Sequence, residues 1–372
     1  MHQLPTLNTT DRNECRFLLY DTLPVLWDCI CGNGTSEYCI PELSEIDSHI
    51  VVVDEQVRTQ HREKLEQAFP PKTSRYFEVP SGESSKSTDM WQQIIDFAFN
   101  GPLRRNTPLI AVGGGVTGDL SGFAAASLMR GLPLIQVPTT LLAMVDSAIG
   151  GKTGINHPYG KNTIGAFYHP KAVLFDPSFL ATLPEREWLC GISEVLKYGY
   201  ISDPDLLGMG TSLADPDTRS NGLLRDVIER SVRIKSDIVA GDAREAGERA
   251  YLNFGHTFAH ALETLDGYRN INHGEAVYAG MIAALYVSRQ FGAPVSDKPL
   301  ISLQTVYNLD LQPYRGSIDH LVTFMANDKK NRDEIVRLVL LRDHNRPVVQ
   351  HVDDSRLLKN AWRYLFDVLE RS

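Results

Sequence analysis

The chain has 372 residues, 42% of them hydrophobic, and a formal net charge of −9 at pH 7. That length and hydrophobic fraction suffice for one large or two medium cores. The negative charge argues against nucleic acid or an acidic membrane as the main partner. No apolar run reaches about 18 residues, and the first residues lack a signal-peptide pattern. We therefore predict a cytoplasmic protein without a nucleic-acid or membrane partner.

Four of the five cysteines lie early in the chain, at Cys15, Cys29, Cys31 and Cys39. Their spacing lacks the paired C-x₂-C hooks of structural zinc sites, and disulfides are rare in a reducing compartment. We expect ordinary thiols.

The apolar pattern changes near residue 180. Before it, the strand-like runs HIVVV, YFEV, PLIAV, PLIQV and AVLF alternate with helical segments, which predicts an α/β domain with a mostly parallel sheet over residues 1–178. After it, three-to-four spacing of apolar residues predicts an all-α domain over 179–372, and DPSFLATLPE marks a hinge between the two. One strand-like run, IVRLVLL, interrupts the helical half at 335–341.

A glycine-rich turn follows the PLIAV run. Gly113, Gly115 and Gly118 precede the helical segment DLSGFAAASLM, whose first turn carries Asp119. Backbone N–H groups of such a turn and helix start can bind a pyrophosphate, and the spacing of these glycines formally matches the dinucleotide-binding fingerprint. The acid expected about 20 residues later is missing, because Pro138, Thr139 and Thr140 occupy that position. Asp54, at the end of HIVVVD, could accept ribose hydroxyls instead. On the glycines alone, a nucleotide site and an ordinary tight turn are equally open.

The helical half carries a second group of polar residues. Glu194 and Lys197 lie three apart, and His256 and His260 lie four apart, so each pair shares a helix face. His273 begins another helix, and the turn-forming residues DGYRNIN could let an antiparallel helix pair bring it to His256. Two histidines and a carboxylate describe a catalytic zinc-like site with an open position. Taken singly, each histidine could be an ordinary core or surface residue.

Lysines beside flexible backbone form a third group. Lys152 lies in GGKT and Lys161 in GKN, a setting that suits a clamp for phosphate or carboxylate. Solvated surface charge is the alternative.

These residues resemble a known family. The segments GGGVTGDLSGFAAASLMRG, QVPTTLLAMVDSAIGGKTGIN, GKNTIGAF, SEVLKYG, LNFGHTFAHALE, HGEAV and NDKKN are similar, in matching order, to the motifs of the 3-dehydroquinate synthase family, over about residues 50–340. Small departures from the family pattern occur within these segments, at Met144, Ala148 and Ser193, which lie beside the site residues and are not among them.

The resemblance implies a phosphate-eliminating carbon–oxygen lyase of the shikimate pathway, which serves aromatic amino acid biosynthesis. Such an enzyme converts 3-deoxy-D-arabino-heptulosonate 7-phosphate, a phosphorylated sugar acid, to 3-dehydroquinate and phosphate. It proceeds through transient oxidation by NAD, β-elimination, reduction and intramolecular aldol closure. The cofactors would be NAD, bound at a Rossmann-like site of a dehydroquinate synthase-like fold, and a divalent metal, Zn²⁺ or Co²⁺. The assembly would be a homodimer.

The resemblance also implies a role for each matching residue. The metal ligands would be Glu194, His256 and His273. NAD would contact Asp54, Glu83, Lys86, Gly114, Gly115, Val116, Asp119, Thr139, Thr140, Lys161 and Thr182. The substrate would contact Lys152, Asn162, Lys235, Arg249, Asn253, His260, Lys330 as the favoured lysine of the Lys329–Lys330 pair, and Arg130 from a second subunit. Further catalytic or proton-relay groups would be Asp146, Lys197 and Glu245, and the substrate-contacting residues Lys152, Lys235, Arg249, Asn253 and His260 would also act in catalysis.

Three other functions are weighed against this one. Sibling sugar-phosphate cyclases, such as 2-epi-5-epi-valiolone synthase, share the metal and NAD parts but act on substrates without a carboxylate. The family pattern assigns carboxylate binding to Lys235 and Arg249, and burying two cations without their anion would cost several kcal/mol. This favours the carboxylate-bearing substrate. A metal-dependent alcohol dehydrogenase of related fold would not need the phosphate clamp, and a non-catalytic regulator would not need the ligand triad.

Overall fold

The structure is a computed structural model that describes residues 2–4, 6–8, 14–19, 22–31, 39–43, 46–242, 247–326 and 335–370. The chain divides into two compact units. The first comprises residues 1–184 and 235–243, and the second comprises residues 185–234 and 244–372. The domain boundary after residue 178 stays a prediction.

The first unit is built on one large sheet. Its strands are β1 (His2–Gln3), β2 (Leu7–Asn8), β3 (Glu14–Leu19), β4 (His49–Asp54), β5 (Ser74–Val79), β6 (Leu109–Gly113), β7 (Leu134–Pro138) and β10 (Ala172–Phe175). Six of them run parallel in the order β3-β10-β7-β6-β4-β5, while β1 and β2 pair antiparallel with β3. The five apolar runs of the sequence are β4, β5, β6, β7 and β10, which confirms the predicted α/β class with a mostly parallel sheet.

Besides the two-residue strands β1 and β2, two parts of this unit were not predicted from the sequence. Strand β3 is one, and the antiparallel hairpin of β8 (Lys152–His157) and β9 (Gly160–Phe167) is the other. Helices pack around the large sheet over two apolar clusters of buried side chains. They are α1 (Leu23–Cys31), α2 (Glu55–Gln60), α3 (Arg62–Ala68), α4 (Thr88–Phe99) and α5 (Gly115–Ser127).

Helix α5 begins earlier than the sequence predicted. It starts at Gly115, so its first turn carries no acid and Asp119 lies one turn further along. The preceding glycine, Gly114, has φ −77°, so the left-handed backbone that glycine allows is not used there. Close packing explains the glycines instead. A Cβ on Gly113 would lie 2.7 Å from the Thr117 Cβ, and one on Gly118 would lie 2.9 Å from the Gln136 side chain.

The second unit is helical, as predicted, apart from one hairpin. Its helices are α6 (Glu185–Ile201), α7 (Asp205–Leu213), most of α8 (Asn221–Gly241), α9 (His256–Asp266), α10 (His273–Gln290), α11 (Lys298–Ile301), α12 (Gln304–Tyr307), α13 (Ile318–Ala326) and α14 (Ser355–Glu370). The run IVRLVLL forms β11 (Val336–Asp343), which pairs antiparallel with β12 (Arg346–Val352). None of the helices in the described ranges is both long and apolar enough to cross a membrane.

One aspartate organises the connection between α9 and α10. The buried carboxylate of Asp266 accepts hydrogen bonds from three successive backbone N–H groups, at residues 269, 270 and 271, over 2.6–3.1 Å. The Tyr314 hydroxyl donates a further bond of 2.6 Å. Burial alone would raise the pKa of Asp266, but these donors outweigh burial and hold its pKa well below the usual range. The loop is therefore folded around a charge at the end of α9.

The Asp266 charge should contribute to stability in a pH-dependent way. Asp266→Asn should lower the free energy of unfolding by about 1.5–3 kcal/mol at neutral pH, the worth of hydrogen bonds to a charged group. Because the folded-state pKa lies below the unfolded value of about 3.9, the stabilisation is complete above about pH 5 and is lost as pH falls below about 4. Urea unfolding of both proteins across this range measures the effect.

Asp353→Asn, at an exposed aspartate of the same unit, is the control, and it should leave the free energy of unfolding nearly unchanged at every pH. A difference between wild type and Asp266→Asn that stays constant down to about pH 3 would contradict the assigned role of the charge.

Candidate metal and nucleotide sites

Three side chains of the second unit converge on one point. Glu194 lies in the middle of α6, His256 is the first residue of α9, and His273 is the first residue of α10. One ligand atom of each lies within 4.8 Å of the others. The Glu194 Oε1 is 3.6 Å from the His256 Nε2 and 3.4 Å from the His273 Nε2. The predicted approach of His256 to His273 across the helix pair is confirmed.

The Nδ1 atom of each imidazole, which is the ring nitrogen not directed at Glu194, lies close to an oxygen atom of another residue. The His256 Nδ1 lies 3.2 Å from the backbone carbonyl oxygen of Phe254, and the His273 Nδ1 lies 3.6 Å from the Glu263 Oε1. An Nδ1–H directed at an oxygen leaves the Nε2 lone pair free to bind a cation. Two imidazole nitrogens and one carboxylate oxygen form a donor set that suits Zn²⁺ or Co²⁺ and leaves a coordination position open. The three residues therefore fit a catalytic divalent metal.

Burial and charge act in opposite directions on the two histidines. Burial lowers the pKa of His256 to about 3. Burial also disfavours the charged form of His273, but the Glu194 and Glu263 carboxylates outweigh it and raise the pKa of His273. The cluster therefore attracts positive charge toward Glu194, as a cation site must.

Lys197 and His260 lie beside the triad. Lys197 is almost fully buried and forms an ion pair with Glu194 three residues earlier on α6, as the predicted shared helix face requires. His260 lies one turn after His256, and the two rings meet edge to face with centroids 5.8 Å apart. Both side chains are thus within reach of a ligand bound at the metal position.

Arg249 and Asn253 lie in a 3₁₀ segment, Glu248–Asn253, which ends just before α9. Arg249 is 2% exposed, which is rare for an arginine. The Asn253 Nδ2 donates to the Ala250 carbonyl oxygen over 3.2 Å. Both residues therefore belong to the segment that leads into His256.

In the first unit, Asp54 ends β4 and caps α2. Its Oδ1 accepts hydrogen bonds from the Gln56 N–H at 2.9 Å, the Val57 N–H at 3.3 Å and the Ser81 hydroxyl at 2.7 Å. One of the two Asp54 carboxylate oxygens is therefore occupied by hydrogen bonds within the protein.

The glycine turn and the Thr139–Thr140 pair are neighbours, because β6 and β7 are adjacent and Gly113 pairs with Pro138. A Cβ on Gly114 would lie 3.0 Å from the Thr140 side chain. Within the described part of the chain, the buried Thr139 Oγ1 has no hydrogen-bond partner. The N-terminus of α5 has no side-chain cap, so its N–H groups can bind a ligand. Val116 lies in that first turn. These features fit a bound dinucleotide phosphate.

A small network surrounds the predicted NAD residues Glu83, Lys86 and Asp119. The Lys86 Nζ, 5% exposed, lies 2.5 Å from the Asp119 carboxylate. The Asn156 side chain donates to the Glu83 Oε1 over 2.6 Å and accepts from the Asn162 N–H over 2.9 Å. Asn156, which the sequence did not single out, therefore links the GESSK segment to the β8–β9 hairpin.

The remaining predicted residues of the first unit are dispersed. The Lys235 Nζ lies 2.9 Å from the Asp146 carboxylate, and the Thr182 hydroxyl is bonded to the His61 ring over 2.8 Å. Lys152 and Asn162 lie far apart along the hairpin, since Lys152 pairs with Phe167. Lys161 lies on β9, and Arg130 is exposed at the end of the turn after α5, with φ +67°. Glu245 and Lys330 lie outside the described residues.

Several residues that position the site were missed. They are Glu263, Asp266, Phe254 and Asn156, whose contacts are given above. A carboxylate or carbonyl oxygen behind a metal-binding histidine is a recurring arrangement. The sequence carries no spacing rule for it, because such a partner can come from any neighbouring helix.

Comparison with known proteins gives the same family for both halves of the chain. The family models described as 3-dehydroquinate synthase N-terminal and C-terminal match residues 76–190 and 191–331. The 3-dehydroquinate synthase of Azotobacter vinelandii is 46% identical over 303 residues, which covers 80% of this chain and 83% of the relative.

Solved structures of sugar-phosphate cyclases share the fold. A 2-epi-5-epi-valiolone synthase from Streptomyces hygroscopicus, with NAD⁺ and Zn²⁺ bound, superposes with a TM-score of 0.78 at 26% identity and covers 96% of this chain and 97% of its own. A 2-deoxy-scyllo-inosose synthase, with carbaglucose-6-phosphate, NAD⁺ and Co²⁺, also gives 0.78, at 24% identity over 97% and 99%. The family models that match both halves, together with the 46% identity to the Azotobacter vinelandii enzyme, show that the chain belongs to the 3-dehydroquinate synthase family.

Proposed function

We propose that this chain converts 3-deoxy-D-arabino-heptulosonate 7-phosphate to 3-dehydroquinate and phosphate, as a phosphate-eliminating carbon–oxygen lyase. The 46% identity to a 3-dehydroquinate synthase over four-fifths of the chain is the observation that carries this proposal. Identity to the cyclase structures is far lower, at 24–26%. The compact Glu194–His256–His273 cluster supports an intact metal-dependent enzyme over a regulator.

The cofactors would be NAD and a divalent metal, and both would act on one substrate hydroxyl. NAD would accept and later return a hydride, and the metal would lower the pKa of the hydroxyl as a Lewis acid. Glu194, His256 and His273 would hold the metal. Lys197 would limit the negative charge at the metal, because its ammonium group already neutralises Glu194. His260 would orient the substrate through a hydrogen bond.

Residues of the first unit would bind NAD. Asp54, whose Oδ1 is held by backbone N–H groups and Ser81, would present its Oδ2 to ribose hydroxyls. The turn of Gly114, Gly115 and Val116 would hold the pyrophosphate. Thr139 supports this assignment, because its buried hydroxyl lacks a protein partner among the described residues. The other NAD contacts would come from Glu83, Lys86, Asp119, Thr140, Lys161 and Thr182.

The substrate carries two anionic groups, and the chain offers cations for both. Lys235 and Arg249, which are 7% and 2% exposed, would bind the carboxylate. Lys152, Asn162, Asn253, His260 and Lys330 would bind the phosphate, with Arg130 contributed by a second subunit of a homodimer. Asp146 would orient Lys235, which it contacts at 2.9 Å, and Glu245 would act in proton relay. We further propose that the enzyme acts in the cytoplasm, in the shikimate pathway.

A substrate panel tests the reaction. The purified protein, with NAD and Co²⁺, should release phosphate from the heptulosonate phosphate without net accumulation of NADH. Sedoheptulose 7-phosphate and glucose 6-phosphate should react poorly, because they lack the carboxylate. Phosphate release is measured colorimetrically and NADH by its absorbance. Preference for a carboxylate-free substrate would favour a sibling cyclase, and stoichiometric NADH would favour an alcohol dehydrogenase.

Arg249 should determine recognition of the acid substrate. Arg249→Ala should lower kcat/KM by about 100-fold or more, since removing one partner of a buried charge pair costs about 2–5 kcal/mol. The affinity for NAD should stay within about twofold if the variant folds normally, because the proposed NAD contacts lie in the first unit and changes far from a ligand have little effect on its binding. Arg342→Ala, at an exposed arginine of the same unit, is the control. Equal losses for substrate and NAD would contradict a carboxylate-binding role.

His273 should be required for the metal. His273→Ala should abolish tight Co²⁺ binding and turnover together, while NAD binding persists because the proposed NAD contacts lie in the first unit. Equilibrium dialysis measures both ligands. His320→Ala, at an exposed histidine of α13, should leave metal content unchanged. Full metal occupancy in the His273 variant would refute the triad.

A further inference from the structure

One face of α6 meets the first turn of α10. Arg186, Cys190 and Glu194 lie four residues apart, so they form a single stripe along α6. Glu194 faces His273, the first residue of α10, at 3.4 Å. The other two members of the stripe contact the next two residues of α10. The helix that supplies one metal ligand therefore also contacts the segment that carries another.

The Arg186 contact is bidentate. Its Nε and Nη2 each donate to one oxygen of the Glu275 carboxylate, both over 2.6 Å, and Nη2 also donates to the Asn270 carbonyl oxygen. Glu275 in turn accepts from the Asn272 N–H over 2.8 Å and closes the capping box at the start of α10. Arg186 thus ties the cap of α10 to α6 in a fixed orientation.

The Cys190 contact satisfies a backbone donor. The thiol sulfur accepts a hydrogen bond from the Gly274 N–H over 3.2 Å. N–H groups in the first turn of a helix have no partner within the helix, so each needs one from outside. The Asn272 side chain accepts from the Glu275 N–H, and α6 provides the acceptor for Gly274. Rotation of α10 about its axis would break these bonds.

Gly274 makes this close contact possible. A Cβ at this position would lie 2.2 Å from the Cys190 Cα and 2.7 Å from the Cys190 carbonyl oxygen. Both are backbone atoms, which cannot move aside as a flexible side chain can. Gly280 repeats the arrangement two turns later, where a Cβ would lie 2.2 Å from the Gly255 carbonyl oxygen, directly before His256. Backbone contacts therefore fix α10 against the segments that carry both other ligands.

We infer that Arg186 and Cys190 are positioning residues for His273. Gly274, which has no side chain, allows α6 and α10 to approach closely enough for these contacts to form. The contacts hold the imidazole opposite Glu194 before a metal binds, which lowers the reorganisation that metal binding requires. The inference rests on the proposed metal site. A purely structural role would instead predict that these contacts stabilise the fold without special influence on the metal.

A substitution at Gly199 distinguishes a positioning role for the metal ligand from a purely structural role. Gly199 lies on α6 as well, and a Cβ there would lie 2.7 Å from the Leu207 side chain and 2.9 Å from the Leu207 backbone nitrogen. That contact faces α7 and not α10. Gly199→Ala should therefore overpack α6 against a helix that carries no metal ligand. Gly208→Ala, at an open position of α7, controls for the added methyl group.

The experiment uses the full-length protein, stripped of metal and titrated with Co²⁺. Affinity comes from competition with a chelator, geometry from the visible Co²⁺ absorption, and stability from the Tm of the metal-free protein. Gly274→Ala should weaken Co²⁺ binding about 10- to 100-fold, the usual effect of disturbing the partners of metal ligands, and should alter the absorption bands. Gly199→Ala, with a comparable loss of Tm, should bind Co²⁺ as the wild type does.

Arg186→Gln covers the case in which Gly274→Ala does not fold. Arg186 is about half exposed, so its replacement leaves the packing of α6 on α10 in place. It should weaken Co²⁺ binding in the same direction, and Arg186→Lys should restore only part of the loss because lysine cannot form the bidentate contact. Wild-type affinity and spectrum in both Gly274→Ala and Arg186→Gln would overturn the inference, as would an equal loss of affinity in Gly199→Ala. Absence of Co²⁺ binding by the wild type would overturn the metal site itself, and the inference with it.

Discussion

The negative charge of Glu194 is the constraint on which the second unit depends. Its side chain has no exposed surface, and a bare carboxylate in such a place would cost several kcal/mol. The ammonium group of Lys197, one turn further on α6, forms an ion pair with the Glu194 carboxylate. Two imidazoles also approach this carboxylate, from α9 and α10. The helices must meet at this point for the charge to be tolerated. The same requirement brings together the three side chains that could hold a metal ion, so the helix packing and the candidate metal site share one cause.

In the first unit, the order of the strands brings the Asp54 carboxylate and the glycine turn to one edge of the sheet. In the sheet order, β4 lies directly beside β6, and β6 lies beside β7. Asp54, the glycine turn and Thr139 follow these three strands, so they share the carboxyl edge where ligands of parallel sheets bind. In the proposed NAD site, the acid that a standard dinucleotide unit takes from a later strand would come from an earlier one, at Asp54. Because β4 and β6 are adjacent in the sheet, Asp54 lies at the same edge as the glycine turn despite this different order along the chain.

The sequence predicted what depends on local pattern. Buried parallel strands are continuous apolar runs, so β4, β6 and β7 could be recognised, and the helices of the second unit follow from their apolar spacing. Strand β3 was missed because Glu14 and Arg16 interrupt its apolar residues. The hairpin of β8 and β9 was missed because the side chains of β9 are mostly exposed and lack that pattern. The start of α5 was placed too late because glycines were interpreted as a loop, although they permit close packing inside a helix.

The same limit applies to the site. His256 and His273 could be paired from the turn residues between their helices, because that pairing is local in the chain. Contacts of Glu263, Cys190 and Arg186 could not be predicted, because each depends on which faces of separate helices meet. Residues that bind a ligand carry recognisable chemistry, whereas residues that hold them in place are chosen by packing geometry alone.

The buried thiol of Cys190 has a consequence for the dynamics of the second unit. Burial raises its pKa, and only the thiolate reacts readily with alkylating reagents. The sulfur also lies under Gly274, so a reagent can reach it only while the first turn of α10 is detached from α6. The rate at which this one cysteine is alkylated therefore measures how often the segment opens. Alkylation of Cys190 would therefore report local unfolding of the first turn of α10, where His273 lies.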